Sequence, residues 1–134
     1  MVLALVMMAN ADVASQIVSL AKKVAAGESL GSWKGGKIPY SWGGGHKSSP
    51  GPSLGTCSGY TGSIKPCPAD KTVGLDCSGF SRWIYSMAFG RDILGSGTAA
   101  SQRQRGKAVT NKLPGDLVFF ANSSGSIVHV GIFI

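Results

Sequence analysis

Acidic side chains are scarce in this sequence: 6 Asp and Glu stand against 13 Lys and Arg among 134 residues, a formal net charge of +7. That imbalance favours a polyanionic partner through long-range attraction, with nucleic acid, a teichoic-acid-bearing wall and an anionic membrane as the classes. The basic residues are scattered (Lys22, Lys34, Lys47, Arg103) and form neither a basic helix nor an aromatic RNA-binding signature, so nucleic acid is excluded first. Charged residues are few overall, 14%, and with 43% apolar residues the chain does not read as disordered. Long hydrophobic runs are missing too. The longest, Met1 to Ala9, is too short to cross a bilayer, which takes about 20 apolar residues. Close Cys-x-x-Cys pairs are absent, which argues against zinc, so no metal and no cofactor is expected. The glycines Gly43 to Gly45 lack the Lys-Ser or Lys-Thr of a phosphate loop. No internal repeat appears, and the length supports one domain with a real core.

What is present begins with Cys77 in the run Leu75-Asp76-Cys77-Ser78-Gly79-Phe80. From there Phe80, Trp83, Ile84, Met87 and Ala88 recur at helical spacing, Asp76 is a good N-cap, and Gly90 is placed to end the helix. Cys77 therefore falls in the first turn, where unpaired N–H groups favour a thiolate and lower the thiol pKa. A free cysteine is most often a buried, inert residue. Asp76, Ser78 and Gly79 make a polar, tight setting that suits an open site better. The sequence has only 2 histidines to serve as a base. His129, between Val128 and Val130, is preferred over His46 in its glycine-rich loop, because a strand holds a side chain more rigidly.

Val13, Ile17, Leu20, Ala21 and Val24 share one helical face, which predicts a helix over about Asp12 to Ala26 ended by Gly27. Gly31 to Val73 reads as a long loop ordered by a Cys57–Cys67 bridge, with zinc or reduced thiols as the alternatives. Such a bridge closes a short loop, contributes about 2–3 kcal/mol, leaves Cys77 free and implies an oxidising compartment. Thr98 to Gly106 reads as a short capped helix with Gln102 and Gln104 on its polar surface. Arg82 and Arg91 read as solvated and Trp42 as a core anchor. Leu117 to Phe120 and Ile127 to Ile134 form a hairpin across Asn122-Ser123-Ser124-Gly125-Ser126. Helices first and strands last give an α+β class. Residues 1–11 read as an apolar leader, the remnant of a longer segment, or a first packed helix, and Ala9-Asn10-Ala11 has the form of a signal cleavage site. The domain proper is residues 12–134.

Four motifs in order, Pro39-Tyr40-Ser41-Trp42-Gly43-Gly44, Leu75-Asp76-Cys77-Ser78-Gly79-Phe80, Leu113-Pro114-Gly115-Asp116-Leu117-Val118-Phe119-Phe120 and His129-Val130-Gly131-Ile132, follow the first helix. In this the chain resembles the NlpC/P60 cysteine peptidases of the bacterial cell wall, over about Ser15 to Ile134. The resemblance implies a papain-like fold with N-terminal helices packed on a C-terminal antiparallel sheet. It implies Cys77 as nucleophile, His129 as base, Tyr40 shaping the oxyanion region, and Asp76 with Ser78 holding the free amine of a stem peptide. The implied reaction is hydrolysis between D-γ-glutamate and the diamino acid of peptidoglycan by a secreted or wall-facing enzyme. Its partners would be stem peptides and anionic wall polymers. The family's third polar residue lies on a strand after the histidine, and this sequence stops at Ile134 before one, which reads as truncation at the C-terminus. A related amidase cutting between the lactyl group and L-Ala, or a non-catalytic wall-binding module, are the alternatives.

Overall fold

The computed structural model describes residues 11–134 and, before them, the backbone of Val2–Val6. That first segment is strand β1 (Val2–Val6), followed by helix α1 (Ala11–Ala25). The face expected from the sequence is the one α1 buries: Ile17 and Ala21 are inside, with Val13, Leu20 and Val24 packed at the margin. Gly27 follows in the left-handed region, its N–H bonded to the Val24 carbonyl, and so closes the helix.

The long loop contains the short antiparallel pair β2 (Ser53–Leu54) and β3 (Val73–Gly74) and a single 3-10 turn at Ala69–Lys71. A disulfide joins Cys57 to Cys67 across it, with Cα atoms 6.0 Å apart. Next come α2 (Cys77–Phe89), α3 (Ala99–Arg103), β4 (Lys107–Val109), β5 (Leu117–Ala121) and β6 (Ile127–Ile132). Asp76 caps α2 by accepting a 2.8 Å hydrogen bond from the Gly79 N–H, and Gly90, at φ 76°, ends it.

The four-stranded sheet runs β4-β1-β5-β6 and each neighbouring pair is antiparallel. The α+β class holds. The sheet is not wholly C-terminal, because β1 sits between β4 and β5. Two strands of this sheet escape the sequence reading, β1 because its pairing partners are remote in the chain and β4 because it is only three residues long, as do the two-residue strands β2 and β3 within the long loop. The Ala9-Asn10 part of the cleavage-like motif lies outside the described residues.

Pairing of β5 with β6 sets Phe119 against Val130 and Leu117 against Ile132 on one face, and Phe120 against His129 on the other. Leu117, Phe119 and Val130 are buried with Ile84 and Tyr85 of α2 and Ile17 of α1. Each such side chain stabilises the fold by about 1.5–3 kcal/mol through burial alone. This core presses the start of α2 against β6. The site depends on that contact.

Arg82 and Gln102 depart from the sequence reading. Arg82 is buried rather than solvated, 2% exposed, and its guanidinium donates to the carbonyls of Gly45 (2.9 Å) and Lys47 (2.6 Å) and to Asp92 (2.8 Å). Gln102 is likewise interior and donates to the Ser78 carbonyl while accepting from the Ser81 hydroxyl. Gln104 is exposed, as is Arg91.

Candidate active site

Cys77 is the first residue of α2, half-buried, and the described chain's free cysteine. An α-helix leaves its first N–H groups without partners inside the helix, so donors converge near this thiol. Gly79 makes the arrangement possible. A Cβ there would be driven into the Gly44 carbonyl oxygen and would lie 3.0 Å from Gly45 Cα, so the first turn and the 43–45 loop touch backbone to backbone. The Asp76 N–H donates to Gly44 O at 3.0 Å and locks the two together.

Burial pushes the Cys77 thiol up, the Asp76 charge adds to that, and a hydrogen bond from the Val130 backbone opposes it. The sequence reading expected the helix start to lower it. In the resting protein desolvation wins.

Cys77 and His129 line one cleft of about 400 Å³, together with Ile38, Tyr40, Phe80 and Val130. His129 is exposed, and its ring lies 5.4 Å from that of Phe120. Among the described residues no hydrogen bond joins it to Cys77 or to any polar side chain. Tyr40, 66% exposed, stands at the rim, where the bridge Tyr40–Leu75 fixes its backbone beside the segment that leads into Cys77. Burial raises the Tyr40 phenol pKa first, with the charges of Asp76 and Cys77 next.

On its other side Cys77 borders a cavity of about 500 Å³ that is also lined by Tyr40, Trp42, His46, Ser78 and Thr98. Trp42 is half-buried there, not a core anchor: its indole N–H donates to Ser58 O and its ring meets Tyr60 edge-on at 5.5 Å. A larger open depression of about 840 Å³ runs along α1, but neither cysteine nor histidine lines it.

His46 is the residue the sequence reading undervalued. Far from swinging on a glycine loop, it is held on both ring nitrogens, with Nδ1 2.7 Å from Ser96 O and Nε2 2.6 Å from Asp76 Oδ1. The hydrogen bond to Asp76 raises its pKa and burial works against it. The Ser78 hydroxyl is 3.1 Å from the same Nε2. Because Asp76 and Ser78 share one nitrogen while the other faces a carbonyl, the three do not form a serine relay, which needs opposite ring nitrogens. Both nitrogens being engaged, His46 is not free to serve Cys77 as a base. Buried Arg82 fixes His46 from behind by holding the carbonyls of Gly45 and Lys47 on either side of it. Among the described residues no three His, Cys, Asp or Glu side chains gather as a metal site. No helix there is long and apolar enough to cross a membrane.

The NlpC/P60 family model matches residues 36–134, a stretch that holds Tyr40, His46, the Cys77 turn and the His129 strand. The chain belongs to the NlpC/P60 family. Its curated relatives include peptidoglycan endopeptidase RipB of Mycobacterium tuberculosis, in two strains, 34% identical over 99 residues. That alignment covers 72% of this chain and 34% of RipB, so the chain spans about a third of that relative's length. Protein P54 of Enterococcus faecium is 41% identical over 61 residues, 44% of this chain and 11% of that protein. No solved structure matches the chain.

Proposed function

We propose that this NlpC/P60 domain is a bacterial cell-wall hydrolase that cuts the amide between D-γ-glutamate and the diamino acid of a peptidoglycan stem. The observation that supports it most is Cys77 on the first turn of α2, in a cleft it shares with His129. The 34% identity to a peptidoglycan endopeptidase supports the substrate class. The same reading takes the helix-start cysteine packed on an antiparallel sheet as papain-like, the domain as wall-facing or secreted, and the +7 charge as an attraction to anionic wall polymers.

In the reaction the Cys77 thiol loses its proton to His129 as the sulfur attacks the carbonyl carbon. First-turn N–H groups and the Tyr40 rim stabilise the oxyanion. The imidazolium then protonates the leaving amine, which departs as the thioester forms. Water, deprotonated by His129, hydrolyses the thioester and regenerates the thiol. Catalytic hydrogen bonds in an unliganded enzyme are often long and tighten in the complex, so substrate closes the Cys77–His129 approach.

A second reading, a wall-binding module without catalysis, draws support from the raised thiol pKa and from the lack of a polar partner for His129 among the described residues. Mass spectrometry of purified muropeptides after incubation separates the possibilities. Stem dipeptides support the endopeptidase, whole stems an amidase using the same two residues, and unaltered muropeptides the binding module. Substituting Cys77→Ala or His129→Ala abolishes cleavage if the proposed mechanism holds.

A further inference from the structure

The environment of His46 bears on which stems the site accepts, an inference that rests on the proposed stem-peptide hydrolysis. A neutral imidazole carries one donor and one acceptor nitrogen. Here Nδ1 faces the Ser96 carbonyl at 2.7 Å and Nε2 faces the Asp76 carboxylate at 2.6 Å, both of them acceptors only and both nearer than the Ser78 hydroxyl at 3.1 Å. An unprotonated nitrogen at either position would set lone pair against lone pair at hydrogen-bond distance. The arrangement is complete when both nitrogens carry protons, so the ring is a cation.

That cation pairs through Oδ1 with the carboxylate which the family resemblance assigns to a substrate amine, and so balances its charge. Asp76 Oδ1 already accepts from Gly79 N at 2.8 Å and lies 3.3 Å from the Ser78 hydroxyl, and the imidazolium adds a third bond at 2.6 Å. The pair is neutral overall and fixed, with each side chain just over four-fifths hidden from solvent. Tyr40 and Cys77 are the other titratable groups lining the cavity. An incoming ammonium therefore meets an imidazolium and a carboxylate that is already paired. A neutral amide meets no such penalty, and a cavity of about 500 Å³ bounded by Trp42, Thr56, Thr98 and Val128 has room for the acyl group beyond it.

We propose that His46 makes this cavity select stem peptides whose first residue is N-acylated, as it is while the stem is still joined to the sugar, over stems with a free amino terminus. The domain then acts on intact wall, before any amidase has released the stem.

Two synthetic tripeptides, L-Ala-γ-D-Glu-diamino acid with a free amine and its N-acetyl form, test this at pH 7. The parent is expected to cleave the acetylated peptide with a kcat/KM at least tenfold higher. In His46→Gln, which keeps a hydrogen-bonding side chain without the charge, the free-amine rate rises and the gap narrows. Cleavage of both peptides by the parent with no preference, or with the free amine favoured, overturns the inference and leaves the function standing. Equal loss of both substrates in His46→Gln overturns it as well. If the parent cleaves neither, the function itself fails and takes the inference with it. Nitrogen NMR of the parent gives an answer that needs no variant: two protonated His46 ring nitrogens at pH 7 support the proposal, and one bare nitrogen overturns it.

Discussion

Replacing Gly79 with alanine reverses the sign that helix propensity alone would give. Within a helix Gly→Ala stabilises by up to about 1 kcal/mol, because glycine loses more backbone freedom on folding. Here the added Cβ collides with the Gly44 carbonyl oxygen, lies 3.0 Å from Gly45 Cα and 3.1 Å from Asp76 Oδ1. None of the first two can yield as a flexible side chain would, since both are backbone. Overpacking of this kind costs about 1–3 kcal/mol. Pushing the loop away also strains the Asp76 N–H to Gly44 O bond and the Asp76 cap, which adds about 1 kcal/mol. The net expectation is destabilisation of about 1–3 kcal/mol, or a Tm lowered by roughly 4–10 °C for a domain of this size. Thermal and urea unfolding of Gly79→Ala beside the parent measure it. A Tm unchanged or raised would refute the claim that the first turn of α2 and the glycine loop meet backbone to backbone.

Arg82→Ala strips donors from the Gly45 and Lys47 carbonyls and empties a buried volume, for an expected loss of about 3 kcal/mol or more in urea unfolding, whereas Asp92→Asn, altering an exposed partner, costs under about 1 kcal/mol. The Arg82 guanidinium holds the Asp92 carboxyl below its ordinary range, so this pair's contribution is present above the unfolded Asp pKa and fades only as pH falls through the lower folded value. His46 behaves in the opposite sense. Its folded pKa is raised, so the stability it contributes is full below the unfolded value near 6.5 and declines as pH rises through the folded one; Tm against pH shows that slope in the parent and its loss in His46→Gln. Because burial and then Asp76 push the Cys77 thiol up, alkylation of the unliganded protein by iodoacetamide speeds up with pH to a midpoint above that of an ordinary thiol, and Asp76→Asn brings the midpoint down.

Local patterns in the sequence foretold the parts of the fold that local physics determines. Asp76 and Gly90 bracket α2, the apolar face of α1 is the buried one, Thr98 caps α3, and Asn122 to Ser126 closes the β5–β6 turn. Strand β1 was illegible because an apolar run at a chain start has the same composition whether it exits a membrane or inserts between strands far along the chain. Arg82 was misread for a related reason. Its burial depends on carbonyls of residues 45 and 47, and no periodicity along α2 reports a loop packed over it. The place of Cys77 at a helix start was legible from Asp76 before it and the apolar spacing after it. The fixing of His46 was not, because its partners Asp76 and Ser96 lie 30 and 50 residues away. Its one local signal is the run of glycines before it, which reads as looseness in sequence and in the fold permits the close approach to Gly79.

The central claim is that the Cys77 sulfur takes the acyl group of a stem peptide. Acid-quenched intact-protein mass spectrometry during turnover of an N-acylated stem reads this directly, followed by peptide mapping of the modified chain. The account predicts a thioester adduct of the mass of the acyl fragment, confined to the peptide carrying Cys77 and absent from Cys77→Ala, which no longer turns over. Undiminished hydrolysis by Cys77→Ala, with no adduct on the parent, would contradict it.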